Sequence, residues 1–322
     1  MGAPSSSRAP SPHAVLIAAE LQPFLEPDQL VGLDVTWLPR AEPTPKGDFV
    51  AIVSLLSRWV GGTELKRLPQ LKVVANCAVG HDNVDVVAAE MRGVKVTNTP
   101  DVLTDATADL TWALILACAR RVVEGNDVVK GGQWTGWHPT LLLGIELRGR
   151  TLGLFGAGRI GQAVGRRGVA FGMRIIYAAR NARPEFERDT RAERVERSRL
   201  FRESDVLSLH VPSLPETKGM IDSDALRQMK RSAILINTAR GDLIREEALA
   251  AALEEGRLGA AGLDVYSDEP AIHPRLLAAP RTVLLPHIGS ATHEARRQMA
   301  AIAVANVQAV LKGEAPLTPV FR

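Results

Sequence analysis

The sequence predicts an α/β protein made of two doubly wound domains, Rossmann-like or flavodoxin-like, with a cleft between them. Three observations carry this expectation. Short β-rich runs alternate with amphipathic stretches along the chain. The alternation occurs twice, and a long helical stretch followed by a Gly/Trp-rich segment separates the two series. A glycine-rich turn, Gly156-Ala-Gly158-Arg-Ile-Gly161, sits at the start of the second series. Strands and helices in alternation imply a parallel sheet with helices on its faces.

The first series offers strands at 14–18, 35–38, 50–55, 72–77 and 94–97, with an amphipathic stretch at 82–92. A long helix is expected over 104–130, followed by a loop over 131–144 that carries Trp134 and Trp137. The second series offers strands at 151–155, 174–178, 206–210, 233–237, 262–265 and 282–285, the number needed for a full dinucleotide-binding sheet. An Ala-rich helix over 293–312 closes the chain. The domain reading is therefore 1–98, completed by 289–322, as the substrate-binding domain. Residues 99–288 form the dinucleotide-binding domain. Crossing twice between domains leaves a cleft, the usual place for a ligand.

Bulk properties narrow the function. The 322 residues, 46% of them hydrophobic, suffice for two cores. A formal net charge of +3, with acids and bases interspersed, argues against a nucleic-acid partner. No run of about 18 apolar residues suggests a membrane span. No CxxC or HExxH pattern suggests a metal. Cys77 and Cys118 lie in apolar runs and read as buried thiols of a reducing compartment, hence the cytoplasm. Residues 1–12, rich in Ser, Pro and Ala, read as a disordered tail rather than a secretion signal. Gly2 with Ser6 fits a loose myristoylation pattern, read as chance because Pro4 intervenes and no basic patch follows.

The glycine turn has a strand before it and a helix after it. Gly156 suits the tight turn, Gly158 lets backbone approach a pyrophosphate, and Gly161 lets helix and strand pack closely. The helix N-terminus offers unpaired N–H groups to phosphate. The next strand ends in Tyr177-Ala-Ala-Arg180-Asn-Ala-Arg183, with no acid to bond the ribose hydroxyls. A carboxylate there would repel a 2′-phosphate, whereas guanidiniums hold one, so Arg180 and Arg183 point to NADP(H), with NAD(H) possible. Arg240, Glu269 and His287 fall just beyond the carboxyl ends of later strands, where an open parallel sheet meets its ligand. Together they suit a substrate bearing a carboxylate and a carbonyl. Each alone also has a structural reading: surface charge, turn residue and core histidine.

With these blocks in view, the chain resembles the D-isomer-specific 2-hydroxyacid dehydrogenase family over nearly its whole length. The matching segments include Val79-Gly80, Thr99 to Asp109, Leu154 to Gly161, His210 to Thr217, Ile236 to Asp242, Ala261 to Val265, Glu269-Pro270 and Leu285 to Ser290. Gly132 to Pro139 and Arg180 to Glu185 look most like the glyoxylate/hydroxypyruvate reductase branch. The resemblance implies that Arg240 binds the substrate carboxylate, assisted by Leu56 and by backbone N–H groups of Val79 and Gly80. It implies that His287 is the acid/base and Glu269 its carboxylate partner. It implies cofactor contacts at Thr104, Gly156, Gly158, Arg159, Ile160, Gly161, Arg180, Arg183, Val211, Pro212, Thr238, Asp264, His287 and Gly289. It also implies a homodimer joined through the segment with Trp134 and Trp137. Departures are Ala78 where Ser is common, a short stretch between Glu269 and His273, and Arg275 where an apolar residue is commoner.

The expected reaction is NADPH-dependent reduction of glyoxylate or hydroxypyruvate to the D-2-hydroxy acid. Alternatives within the family are phosphoglycerate dehydrogenase and an NAD-dependent D-lactate type. The missing acid after Tyr177 argues against the latter. Formate dehydrogenases carry Gln where this chain has Glu269. A non-catalytic alternative is a dinucleotide-sensing co-repressor.

Overall fold

In the computed structural model, which describes residues 13–320, each of the expected apolar runs becomes a strand of a parallel sheet. The tail at 1–12 and its lipidation-like pattern lie outside the described residues. Two units form. One runs to Leu103 and resumes at Ala291; the other spans Thr104–Ser290.

In the first unit β1 (Ala14–Ala18), β2 (Asp34–Leu38), β3 (Ala51–Ser54), β4 (Val73–Asn76) and β5 (Lys95–Thr97) lie in the order β2-β1-β3-β4-β5. All neighbours are parallel. Strands covered on both faces read as continuous apolar runs rather than alternating ones. The inner strands do so: β3 and β4 are buried at every position. Edge strand β2 is exposed at alternate positions instead. The core gathers Leu16, Ile52 and Val74 with Leu65 and Leu68. The helix His293–Leu311 returns to this sheet, packing on β3 and β4. Its start is capped by Thr292, whose Oγ1 accepts the Ala295 N–H at 3.1 Å.

The second unit holds β6 (Thr151–Phe155), β7 (Arg174–Ala178), β8 (Glu193–Arg194), β9 (Val206–Leu209), β10 (Ile234–Asn237), β11 (Ala260–Leu263) and β12 (Thr282–Leu284). Their order is β12-β11-β10-β9-β6-β7-β8. The chain passes from β6 outward to β7, then returns to the other side of β6 as β9. The order therefore reverses between β6 and β9, and the loops at their carboxyl ends flank the crevice where such sheets bind ligands.

Three elements differ from the sequence reading. Strand β8 is absent from that reading, because it is two exposed charged residues that show no apolar pattern. Strand β11 starts two residues before 262, since Ala260 and Ala261 carry little β propensity and are drawn in by pairing with Ile234 and Leu235. The helix expected over 104–130 is two helices, Thr104–Arg120 and Val122–Lys130. Arg121 breaks it, standing in the left-handed region at φ 55°. The first helix buries eight residues, including Trp112, Leu114 and Ile115, whereas the second buries none. Tertiary packing thus supports only the first segment.

Candidate active site

The glycine turn is built at the β6/β9 reversal. Gly156 has φ 101°, and a Cβ there would lie 2.3 Å from the His210 carbonyl oxygen. A Cβ on Gly161 would lie 2.3 Å from the Gly156 oxygen. Both positions are closed to any side chain by neighbouring backbone. Gly158 differs: a Cβ there would meet open space. Bareness at Gly158 is not needed for the protein's own packing, and a ligand approaching the backbone is what would require it. Gly158 is followed at once by the helix Arg159–Ala170, whose exposed first residue is Arg159 and whose next, Ile160, packs against the core. Its first N–H groups face the same crevice with the positive end of the helix dipole.

Beyond β7, Arg180 and Arg183 are exposed. Arg183 reaches back to the turn: its Nε donates to the Ala157 carbonyl at 3.0 Å. Its backbone N–H donates to the Tyr177 hydroxyl at 2.8 Å, and that hydroxyl in turn donates to Glu187. The Arg180 carbonyl accepts from Arg194 Nη2 at 2.8 Å. After β9, Val211 is half-buried and Pro212 exposed. His210 pairs with the Ser208 hydroxyl at 2.9 Å, and burial pulls its pKa down to about 3, so it stays neutral beside the turn.

Arg240, Asp264 and His287 follow the adjacent strands β10, β11 and β12. Asn237 shapes the first loop: its Nδ2 donates to the Arg240 carbonyl at 2.7 Å and its Oδ1 accepts the Ala239 N–H at 3.0 Å. Thr238 shares a 2.9 Å hydroxyl contact with Thr111. Thr104 opens the helix that carries Thr111. His287 stands at φ 56°, a region costing roughly 1–3 kcal/mol for a residue with a Cβ. Asp264 holds it there: its two oxygens accept the Ile288 N–H at 2.8 Å and the Gly289 N–H at 2.7 Å. Burial pushes the Asp264 carboxyl up, and these N–H groups offset only part of that rise.

Glu269 is bound at both oxygens. Oε1 accepts the Tyr266 N–H at 3.0 Å and Oε2 meets His287 Nδ1 at 2.7 Å. Burial raises this carboxyl, but the His287 and Tyr266 bonds and the charges of His287 and Arg240 outweigh it and leave it below its ordinary value. The ion pair thereby leaves His287 Nε2 as the ring nitrogen able to exchange a proton. The Arg240 charge is close enough to be felt by Glu269. Such a trio can hold an anion and pass a proton to an adjacent oxygen. Glu246, which the sequence does not single out, secures the Glu269 loop by accepting the Ser267 and His273 N–H groups. Tyr177, the anchor of Arg183, likewise carries no signal in the sequence beyond its place in an apolar strand.

In the first unit, Leu56 and Val79 are exposed and Gly80 half-buried. The carbonyls of Val79 and Gly80 are taken by Asn98 Nδ2 and Asn76 Nδ2, each at 2.8 Å. Their N–H groups have no partner among the described residues. Two free N–H groups side by side suit a carboxylate oxygen. Buried Asn83 ties the neighbouring loop to this one, bonding Asn76 and the carbonyls of Leu55 and Arg58. Among the described residues no cluster of three His, Cys, Asp or Glu could hold a metal. Among them, too, no helix is long and apolar enough to cross a membrane. Cys77 and Cys118 are buried free thiols.

Known proteins resemble this chain over most of its length. Residues 112–289 match the model of the D-isomer specific 2-hydroxyacid dehydrogenase NAD binding domain. Glyoxylate reductase of Thermococcus litoralis is 50% identical over 270 residues, 83% of this chain and 82% of that protein. Glyoxylate reductase of Aeropyrum pernix is 49% identical over 272 residues, 83% of this chain and 81% of that protein. Among solved structures, the NADPH-dependent glyoxylate/hydroxypyruvate reductase of Sinorhizobium meliloti, in complex with NADP and malonate, superimposes with a TM-score of 0.85 at 33% identity, covering 97% of each chain. On these grounds the chain belongs to the D-isomer specific 2-hydroxyacid dehydrogenases, a family of NAD(P)-dependent oxidoreductases.

Proposed function

We propose that this protein reduces glyoxylate or hydroxypyruvate to the D-2-hydroxy acid with NADPH. The observation that carries the reading is the 2.7 Å pairing of His287 with Glu269 within reach of the Arg240 charge. Likeness to reductases of glyoxylate supports the substrate class. A panel of 2-oxo acids with NADPH and with NADH tests it. Turnover fastest on glyoxylate or hydroxypyruvate is the expected result. Preference for phosphohydroxypyruvate or pyruvate, or no turnover, would replace this reading with another family activity or a sensing role.

The dinucleotide would be held by the glycine turn, Arg159, Ile160, Thr104, Val211, Pro212, Thr238, Asp264 and Gly289. Arg180 and Arg183 would take the 2′-phosphate. When bound, the nicotinamide supplies a hydride. The residues of this chain do the rest. Arg240 binds the substrate carboxylate with charge-assisted bonds. The free N–H groups of Val79 and Gly80, with Leu56, are assigned to carboxylate binding on the first unit. His287, protonated, donates from Nε2 to the carbonyl oxygen as negative charge develops, a step worth roughly 10²–10⁴-fold. Glu269 favours the charged imidazolium and fixes the ring's orientation through Nδ1. The Thr104–Ser290 unit is accordingly the dinucleotide domain and the other the substrate domain.

An apolar surface on the dinucleotide domain is assigned to a second copy of the chain. Val122, Val129, Trp134, Trp137 and Leu143 are all exposed, Trp137 at 84%. Large exposed apolar side chains in one segment mark an interface, and a homodimer is the assembly that would cover them. Light scattering at micromolar protein should give twice the monomer mass. The buried thiols suit a reducing compartment, the cytoplasm.

A further inference from the structure

A cavity of about 290 Å³ in the first unit lies among Arg40, Arg58, Arg67, Glu64, Trp59 and Thr63. It is near the lower edge of the roughly 300–1,000 Å³ range of small-molecule pockets. Three guanidiniums line it against one carboxylate. That carboxylate is already engaged, since Glu64 Oε2 accepts the Gly61 N–H at 3.0 Å. None of the three arginines forms an ion pair among the described residues. Elsewhere in the chain Arg121, Arg167, Arg174, Arg199 and Arg275 each pair with a carboxylate.

Two of the three also brace the neighbouring backbone. Arg58 donates to the Glu42 and Pro39 carbonyls at 3.0 and 2.7 Å, and Arg67 to the Thr44 carbonyl at 2.6 Å. Neutral carbonyls do not cancel charge, and a guanidinium has five N–H donors, so both retain donors for a ligand. Arg40 braces nothing with its side chain: its backbone N–H donates to Glu20 Oε1 at 2.9 Å and its carbonyl accepts from Arg58 Nη2 at 3.5 Å. Three like charges facing one cavity repel one another unless an anion joins them. The flat Trp59 ring, 57% exposed, and the Thr63 hydroxyl complete a wall able to stack and to hydrogen-bond.

We propose that this cavity binds a small multivalent oxyanion, a phosphate ester or a polycarboxylate, through a set of residues that includes neither Arg240 nor the glycine turn. The two classes share the chemistry that three guanidiniums recognise, namely two or more oxygens carrying at least two negative charges.

The test is calorimetric titration of the full-length enzyme, saturated with NADPH and with oxamate to fill the other anion sites. Pyrophosphate and citrate serve as separate probes, with acetate as the monovalent control. One equivalent of pyrophosphate or citrate should bind, acetate should not, and the tighter probe identifies the ligand class. Arg40→Glu should weaken binding at least about tenfold, as loss of a charge-assisted contact and gain of a repulsive one predict. It removes no internal side-chain bond, so kcat and KM without the probe should stay as in the wild type. Thr63→Glu, at an exposed helix position, places a second carboxylate on the wall and should act alike. Binding of neither probe to the saturated wild type, or equal binding by the wild type and both variants, would overturn the proposal.

Discussion

Glu269 Oε2 and His287 Nδ1 are 2.7 Å apart although 18 residues separate them, because Glu269 follows β11 and His287 follows the adjacent β12. The pair is anchored from both sides: Tyr266 N–H holds the carboxylate, and Asp264 holds the backbone after the histidine. Replacing His287 by Ala should therefore remove most turnover, roughly 10²–10⁴-fold, while dinucleotide affinity stays nearly intact. Steady-state kinetics beside fluorescence titration with NADPH checks both halves. Retention of turnover would sink the assignment.

Glu269→Gln should be gentler and pH-dependent. The folded-state carboxyl sits below its ordinary 4.5, so the ionised pair is present above that value and is lost only as pH falls through the lower folded value. The wild-type acid limb of reduction should accordingly lie below the ordinary carboxylate range. In the Gln variant the imidazolium loses its counter-charge. The alkaline limb should move to lower pH, because reduction needs the protonated ring. With 34% of each side chain accessible, solvent screening makes the stability loss small. An alkaline limb that stays in place would mean that Glu269 is not the partner.

Arg180 and Arg183 should separate in single variants. Arg183 also bonds the Ala157 carbonyl of the glycine turn. Arg183→Ala should weaken both cofactors, NADPH the more, whereas Arg180→Ala should weaken NADPH alone. Each lost charged bond is worth about 1.5–3 kcal/mol. Dinucleotide dissociation constants for both cofactors decide this, and an Arg180→Ala enzyme with unchanged NADPH preference would refute the 2′-phosphate role.

Asn98→Ala removes the bond to the Val79 carbonyl. The loop would then lose its hold on the two open N–H groups. KM for the oxo acid should rise by about fivefold, as for loss of one bond worth about 1 kcal/mol, with kcat and NADPH affinity near wild type. A fall in kcat at unchanged KM would contradict the substrate-binding role of this loop.

His210 links stability to acidity. Burial lowers its pKa from 6.5 to about 3. Between those values the unfolded chain takes a proton that the folded chain refuses, so stability falls as pH drops through that window. The residue keeps some solvent contact, which limits the size of the effect. His210→Gln should lose less stability than the wild type between pH 7 and pH 5 in urea unfolding. Equal losses would show that the ring is solvated.

Some of this protein is written along the chain. Gly156, Gly158 and Gly161 between a strand and a helix announce a dinucleotide turn, because their spacing within one strand–turn–helix segment is a local signal. The strands β1, β6 and β7 are legible with their observed bounds, since apolar residues with flanking turns are local signals. Other features exist only through folding. Strand β8 owes its two polar residues to an open edge of β7. The break at Arg121 follows from packing that ends at Ala119, not from any local stop signal. Glu246 and Asn98 are ordinary polar residues in sequence, and become anchors because distant loops bring unpaired N–H and carbonyl groups to them. Asp264 gains the same kind of duty from the backbone that follows His287. The candidate acid is thus legible in the chain, but the pairing that charges and aims it is decided by strand order, because only the adjacency of β11 and β12 sets Glu269 beside His287.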